Sequence, residues 1–92
     1  MKVKELIGTM YFVKHGEKTG QFLVFVKFDE KTDSYSLLGL PESDHVCITK
    51  VDIDKAIAHR ALEFIDKLPP DVFKECVTEF EYRANNSSYL DK

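Results

Sequence analysis

Gln21-Phe22-Leu23-Val24-Phe25-Val26-Lys27-Phe28 is the stretch that decides the fold. β-branched and aromatic residues dominate it, which is the composition of a strand rather than of a turn or a surface helix. On an extended backbone Phe22, Val24, Val26 and Phe28 point one way, and Leu23 and Phe25 point the other. A strand that is apolar on both faces belongs in the middle of a sheet, covered on both sides.

Working outward, His15-Gly16-Glu17-Lys18-Thr19-Gly20 is a polar loop whose two glycines can take positive φ. It connects the central strand to an earlier one at Tyr11-Phe12-Val13. The opening segment, Lys2 to Thr9, fits either a strand or a short helical turn. Downstream, residues 29–34 form a turn of acids, Lys, Thr and Ser, and Tyr35-Ser36-Leu37-Leu38-Gly39-Leu40 is the next strand, ended by Pro41. Pro41-Glu42-Ser43-Asp44 makes a further turn, and His45 to Lys50 alternates enough for another short strand. Residues 1–53 are therefore mainly β.

Residues 54–84 read as two helices. Ile57, Ala58, Ala61, Leu62, Ile65 and Leu68 recur at helical spacing, with Phe64 at the margin of the stripe. Lys55, Arg60, Glu63, Asp66 and Lys67 occupy the opposite face, and Glu63 and Lys67 stand in the favourable i,i+4 order. Asp52 or Asp54 is expected to cap this helix. Pro69-Pro70 ends it, because a proline biases the preceding residue away from helical angles. Asp71 is expected to cap the second helix, with Phe73, Cys76, Val77, Phe80 and Ala84 on one face. Asn85-Asn86-Ser87-Ser88 reads as a polar helix exit and residues 85–92 as a frayed tail, of which Tyr89-Leu90 could dock. The expected fold is one α+β domain: a small antiparallel β-sheet or SH3-like partial barrel followed by a C-terminal two-helix hairpin.

The chain has 92 residues, of which 43% are hydrophobic and 32% charged, the balance of a folded water-soluble domain. No apolar run approaches the roughly 18–20 residues that a membrane-spanning helix needs, and no signal-peptide pattern follows Met1-Lys2-Val3-Lys4-Glu5. A cytoplasmic location follows as the expectation. Cys47 and Cys76 each sit in an apolar pattern and are expected to be buried, reduced thiols rather than a disulfide.

Chemistry is sparse. His45 and Cys47 are two apart on a strand and share a face, so with Cys76 or Asp44 they could approach a zinc ligand set. The close cysteine or histidine pairs of a zinc site are absent, however, and a buried Cys47 beside a surface His45 is the simpler reading. His15 reads as a turn residue and His59 as a solvated one. Cys76 lies mid-stripe, where burial raises a thiol pKa and disfavours nucleophilic use. Gly16 to Gly20 lacks the Gly-Lys-Ser/Thr ending of a phosphate loop. No catalytic constellation, metal site or cofactor motif is present, and the chain reads as a non-enzyme.

Charge carries the functional signal. Sixteen acids against thirteen bases give −3, but residues 1–28 sum to +3 and residues 29–92 to −6. Asp29, Glu30, Asp33, Glu42 and Asp44 fall in turns, Asp52 and Asp54 flank a helix start, and Glu63, Asp66, Glu75 and Glu79 lie on helices. Glu75 and Glu79 are a like-charge i,i+4 pair, partly relieved by Arg83 four residues on. These eleven carboxylates are the candidate partner-binding residues.

The acidic turns Asp29-Glu30-Lys31-Thr32-Asp33 and Pro41-Glu42-Ser43-Asp44, in a short chain without a catalytic motif, resemble the small host-takeover proteins of T-even phages, and among them the anti-restriction DNA-mimic family. The resemblance is one of whole-chain length and character, and it transfers no individual residue. It implies an inhibitor in the host cytoplasm that occupies the DNA site of a basic host DNA-binding protein, such as a restriction endonuclease or a nucleoid protein. A net charge of −3 departs from a duplex carrying one charge per ~1.7 Å of axis. A homodimer would double the charge and extend the surface. Neither membranes nor nucleic acid is an expected direct partner.

Two other classes fit the sequence. One is a small barrel adaptor or assembly protein that binds a peptide by a groove or an open strand edge. The other is an SH3/OB-like nucleic-acid module that stacks bases on Tyr11, Phe12 and Tyr35, with Lys2, Lys4, Lys14, Lys18 and Lys27 along the backbone. Those lysines are dispersed, and a concentrated positive face is missing.

Overall fold

In the computed structural model, the backbone is described for residues 3–16 and 18–90 and the side chains for residues 5–16 and 18–82. Lys2, the side chains of Lys4, Arg83 and Ala84, and the docking of Tyr89 and Leu90 lie outside these limits. The chain forms α1 (Val3–Leu6), β1 (Thr9–Val13), β2 (Phe22–Asp29), β3 (Ser34–Leu40), β4 (Asp44–Thr49), α2 (Lys50–Ala58), β5 (Leu62–Lys67) and α3 (Pro70–Leu90). The opening segment is thus divided between a single helical turn and the first strand.

The five strands make one antiparallel sheet in the order β4-β3-β2-β1-β5. β2 is central, as its two-faced apolarity requires. Leu23, Phe25, Tyr35, Leu37 and Val46 pack on one face with Leu6 of α1 and Ile53 of α2. Val24, Val26 and Leu38 pack on the other with Phe80, Phe73, Cys76 and Val77 of α3. The strict alternation read from the sequence fails at one point. Phe25 pairs with Leu37 and Lys27 with Ser36, so Val26 is the extra residue of a β-bulge. The bulge turns Phe28 to the α2 face, where its ring meets Tyr35 at 4.9 Å.

The largest departure from the sequence reading lies at residues 59–68. The helix expected to run to Leu68 ends at Ala58, and Leu62–Lys67 forms an edge strand paired with β1. Ala61 N–H donates to the Ala56 carbonyl at 2.8 Å and Arg60 N–H to the Ile57 carbonyl at 3.1 Å. This is the paired bonding of a Schellman stop, with Arg60 at φ 59° in the left-handed position that glycine usually fills. The stop frees the next segment to pair with β1, whose backbone would otherwise be an open edge above the core. That gain outweighs a helix preference worth a few tenths of a kcal/mol per residue. Replacing Arg60 with glycine should raise stability by about 1 kcal/mol, the cost of a left-handed side-chain-bearing residue, read as a higher denaturant midpoint with unchanged slope.

The caps differ from expectation as well. Thr49, not Asp52 or Asp54, caps α2, its Oγ1 accepting the Asp52 N–H at 3.2 Å. Pro70 begins α3, a position where its missing N–H costs nothing, and Asp71 sits in the first turn rather than at the cap. The polar segment at 85–88 does not end α3, which continues to Leu90. Adding a residue to an existing helix needs no new nucleus, so weak formers can prolong it.

The fold is a small α+β domain with an open sheet. The partial barrel does not close, since β4 and β5 are free edges. The two-helix hairpin is replaced by helices on opposite faces, separated in the chain by β5.

Candidate functional site

The strand directions sort the eleven candidate carboxylates. The β2–β3 turn and the start of α2 meet at one end of the sheet, where Ser34 pairs with Thr49 and Lys50 N–H donates to the Asp33 carbonyl at 2.8 Å. Asp29, Glu30, Asp33, Asp52 and Asp54 therefore gather at this end, all exposed except the half-buried Asp54. Asp54 is bound by Lys50, Nζ to Oδ2 at 2.8 Å. That contact raises the Lys50 ammonium above the ordinary lysine range. The Asp29 carboxylate accepts the Lys31 N–H at 2.9 Å, which holds the turn.

The other six lie elsewhere. Glu42 and Asp44 sit at the opposite end of β3, about 20 Å away at ~3.3 Å per residue, with the Gln21 amide 3.5 Å from Glu42. Glu63 and Asp66 are on the β5 edge, not on a helix. Glu63 pairs with Lys14 across strands at 3.7 Å instead of with Lys67, and Asp66 accepts the Lys67 N–H at 2.8 Å. Glu75 and Glu79 follow Asp71 at four-residue intervals along α3, over the other face of the sheet.

The remaining candidates also move. Cys47 is exposed, against the expected burial, while His45 is exposed as expected, with its ring stacked on Phe80 at 4.4 Å between centroids. The alternation of β4 explains this: Val46 and Ile48 take the α2 face, which leaves Cys47 above the sheet on the α3 side, uncovered. Cys76 is half-buried in the α3 interface, and burial pushes its thiol up, with Glu75 adding to the effect. Both thiols are free. No group of three or more His, Cys, Asp or Glu among the described residues could hold a metal ion, and no described helix is long and apolar enough to cross a membrane.

Tyr11 and Tyr35 are core residues, 4% and 0% exposed, and cannot serve as stacking platforms. This removes two of the three aromatics on which base stacking depended. The Tyr35 hydroxyl has no hydrogen-bond partner among the described residues. Burial raises both phenols above their ordinary value. The folded state therefore keeps these protons to higher pH than the unfolded chain does, so stability declines as pH rises above about 10. Alkaline titration followed at the phenolate absorbance should show the two late tyrosines ionising together with unfolding.

One feature had no sequence signal. A cavity of about 510 Å³ opens between α2 and the β1–β2 loop. Val13, Leu23, Ile48, Ile53, Ala56, Ala61 and Leu62 line it, and His15, Gly16, Lys18 and Asp52 stand around it. Its residues come from five separate parts of the chain, so only the tertiary fold assembles it.

No family model matches the chain, and neither does any curated protein or solved structure.

Proposed function

We propose that this protein is a non-catalytic binding domain that presents carboxylates to a basic surface of a DNA-binding protein, such as a restriction endonuclease or nucleoid protein. The supporting observation is the meeting of the β2–β3 turn with the start of α2, which places five acids at one end of the sheet. The turn is anchored by strand pairing and by the Asp29 carboxylate accepting the Lys31 N–H, so its backbone is ordered before binding, and less ordering entropy is lost on association. They would stand in for phosphates and accept hydrogen bonds from Arg and Lys of the partner, competing with DNA for its site.

The test is a titration against a basic DNA-binding protein at several salt concentrations. Affinity should fall steeply with salt, because exposed charge pairs are screened. Reversing Asp29, Glu30 and Asp52 to Lys together should weaken binding by tenfold or more, on the order of the 1–2 kcal/mol such contacts supply. Reversing Glu42 and Asp44, at the far end, should leave it nearly unchanged. Binding indifferent to both salt and the first set of reversals refutes the proposal.

The β5 edge favours a second reading, a peptide-binding adaptor. Phe64 and Ile65 are 53% and 43% exposed on a strand with one side unpaired, and an extended peptide can add to such an edge. Ile65 is bulged against β1, which breaks the alternation and opposes regular pairing with a second copy of β5. In the same titration this reading predicts loss on Phe64→Lys and none on acid reversal.

A further inference from the structure

We propose that the β4 edge binds a second copy of this chain, joining two sheets into one through antiparallel β4–β4 pairing. Lys50 N–H donates to the Asp33 carbonyl at 2.8 Å. Antiparallel bonding alternates from there, so the N–H groups of His45, Cys47 and Thr49 point away from β3. β4 is the last strand of the sheet, and an unpaired row of this kind is a template for another strand. The two edges of the sheet differ. β5 carries a bulge and ends in Lys67, both of which discourage pairing, whereas β4 keeps unbroken register with β3 and holds no Lys or Pro.

The sequence of β4 is complementary to itself in one register. Paired residues share a face of the sheet, so the two-fold axis passes through a residue, and the central ones are Val46 and Cys47. With the axis at Cys47, Asp44 meets Lys50 of the second copy, His45 meets its Thr49 and Val46 meets its Ile48. An opposite-charge pair, a polar pair and an apolar pair then coincide. Lys50 keeps its bond to Asp54 and has two further ammonium hydrogens to offer. With the axis at Val46, Asp44 would face Ile48 instead. The helices select the same register. Phe80 stacks on His45, so α3 crosses the edge there and continues to Leu90, where its own sheet has no further strand. Two copies joined in this way carry both α3 helices on one face. At ~3.3 Å per residue these stand about 13 Å apart with the axis at Cys47 but about 7 Å apart with it at Val46, closer than the ~8–10 Å of packed helices. The proposal does not rest on a basic partner, and its test contains none.

Sedimentation equilibrium of the full chain should show a mass that rises from monomer to dimer with concentration. Diamide, which takes one hydrogen from each of two thiols as their sulfurs bond, should link Cys47 to Cys47. Hydrogen-bonded antiparallel pairs hold their Cα atoms ~5.5 Å apart, within the ~4.4–6.8 Å that a disulfide spans. Cys47→Lys, at an exposed position, sets two ammonium groups opposite each other and should weaken association by about tenfold or more. Cys47→Ser should leave association unchanged, and circular dichroism checks that both variants are folded. The proposal is overturned by a monomer at every concentration, by a dimer that survives Cys47→Lys, or by one lost on Phe64→Lys instead. It is also overturned if diamide links Cys76 and leaves Cys47 reduced.

Discussion

Phe25→Ala should lower the free energy of unfolding by about 3–5 kcal/mol, the usual cost of deleting a fully buried aromatic side chain. Phe25 is 0% exposed at the middle of the central strand. Its ring meets Tyr11 edge-on at 5.4 Å and Tyr35 edge-on at 5.2 Å. Both contacts are lost with it, and the neighbouring strands are too firmly paired to close over the gap. A domain of this length has a total stability of roughly 5–15 kcal/mol, so the variant should be partly unfolded at moderate temperature. Phe22 lies on the same strand but is only half-buried, at the strand's start, and Phe22→Ala should cost less than half as much. Denaturant unfolding of the two variants measures the difference. A cost below about 1 kcal/mol at Phe25 would contradict its place in the core.

Phe80→Ala should release α3 from the sheet while the rest of the domain stays folded. Among the described residues Phe80 is the single fully buried side chain of α3; Phe73, Cys76 and Val77 are half-buried beside it. His45 stacks on its ring, and the Lys27 ammonium lies 5.8 Å from the centroid, so the ring is gripped from two strands. Its removal should cost about 3–5 kcal/mol, and most of a helix's stability in a protein comes from such packing rather than from propensity. The expected readout is lost helical circular dichroism together with loss of hydrogen-exchange protection confined to α3. Amides of β2 and β3, whose packing on the α2 face is untouched, should keep theirs. Phe80→Leu preserves most of the apolar contact and should keep α3 docked. A single cooperative loss of protection across sheet and helix would show instead that the two faces of the core are one folding unit.

The two positions differ in how far the sequence reveals them. Phe25 is legible because a run of apolar residues on both parities of a strand fits only the centre of a sheet. The α3 contact row is legible for a similar reason: Phe73, Cys76, Val77 and Phe80 recur at 3–4-residue spacing, and they are the residues that meet the sheet. Residues 59–67 are not legible, because Ile57, Ala61, Leu62 and Ile65 satisfy helical periodicity as well as any true helix here. The glycine that commonly marks a helix end is replaced by Arg60, which hides the stop. Nor does the sequence reveal the bulge at Val26, which needs only one unpaired residue and leaves no compositional trace.

The candidate site divides in the same way. That most of the acids would be exposed follows from their place in turns and on polar positions, where a buried charge would be costly. Which of them stand together does not follow from order along the chain. Asp33 and Asp52 are far apart in sequence yet share one end of the sheet, while Asp33 and Glu42 are closer in sequence and lie at opposite ends. The cavity wall is further removed still from any local pattern.

By itself the sequence determined the central strand, the α+β class, the apolar row of α3 and the acidic character of the second half. These depend on local periodicity and on the cost of burying charge, and both act over a few residues. Only the tertiary structure decided that β5 is a strand, that the helices take opposite faces, and which carboxylates and cavity residues become neighbours. Those outcomes depend on an open strand edge needing partners for its backbone, and on which faces of the sheet remain to be covered. Such demands exist only once the chain is folded.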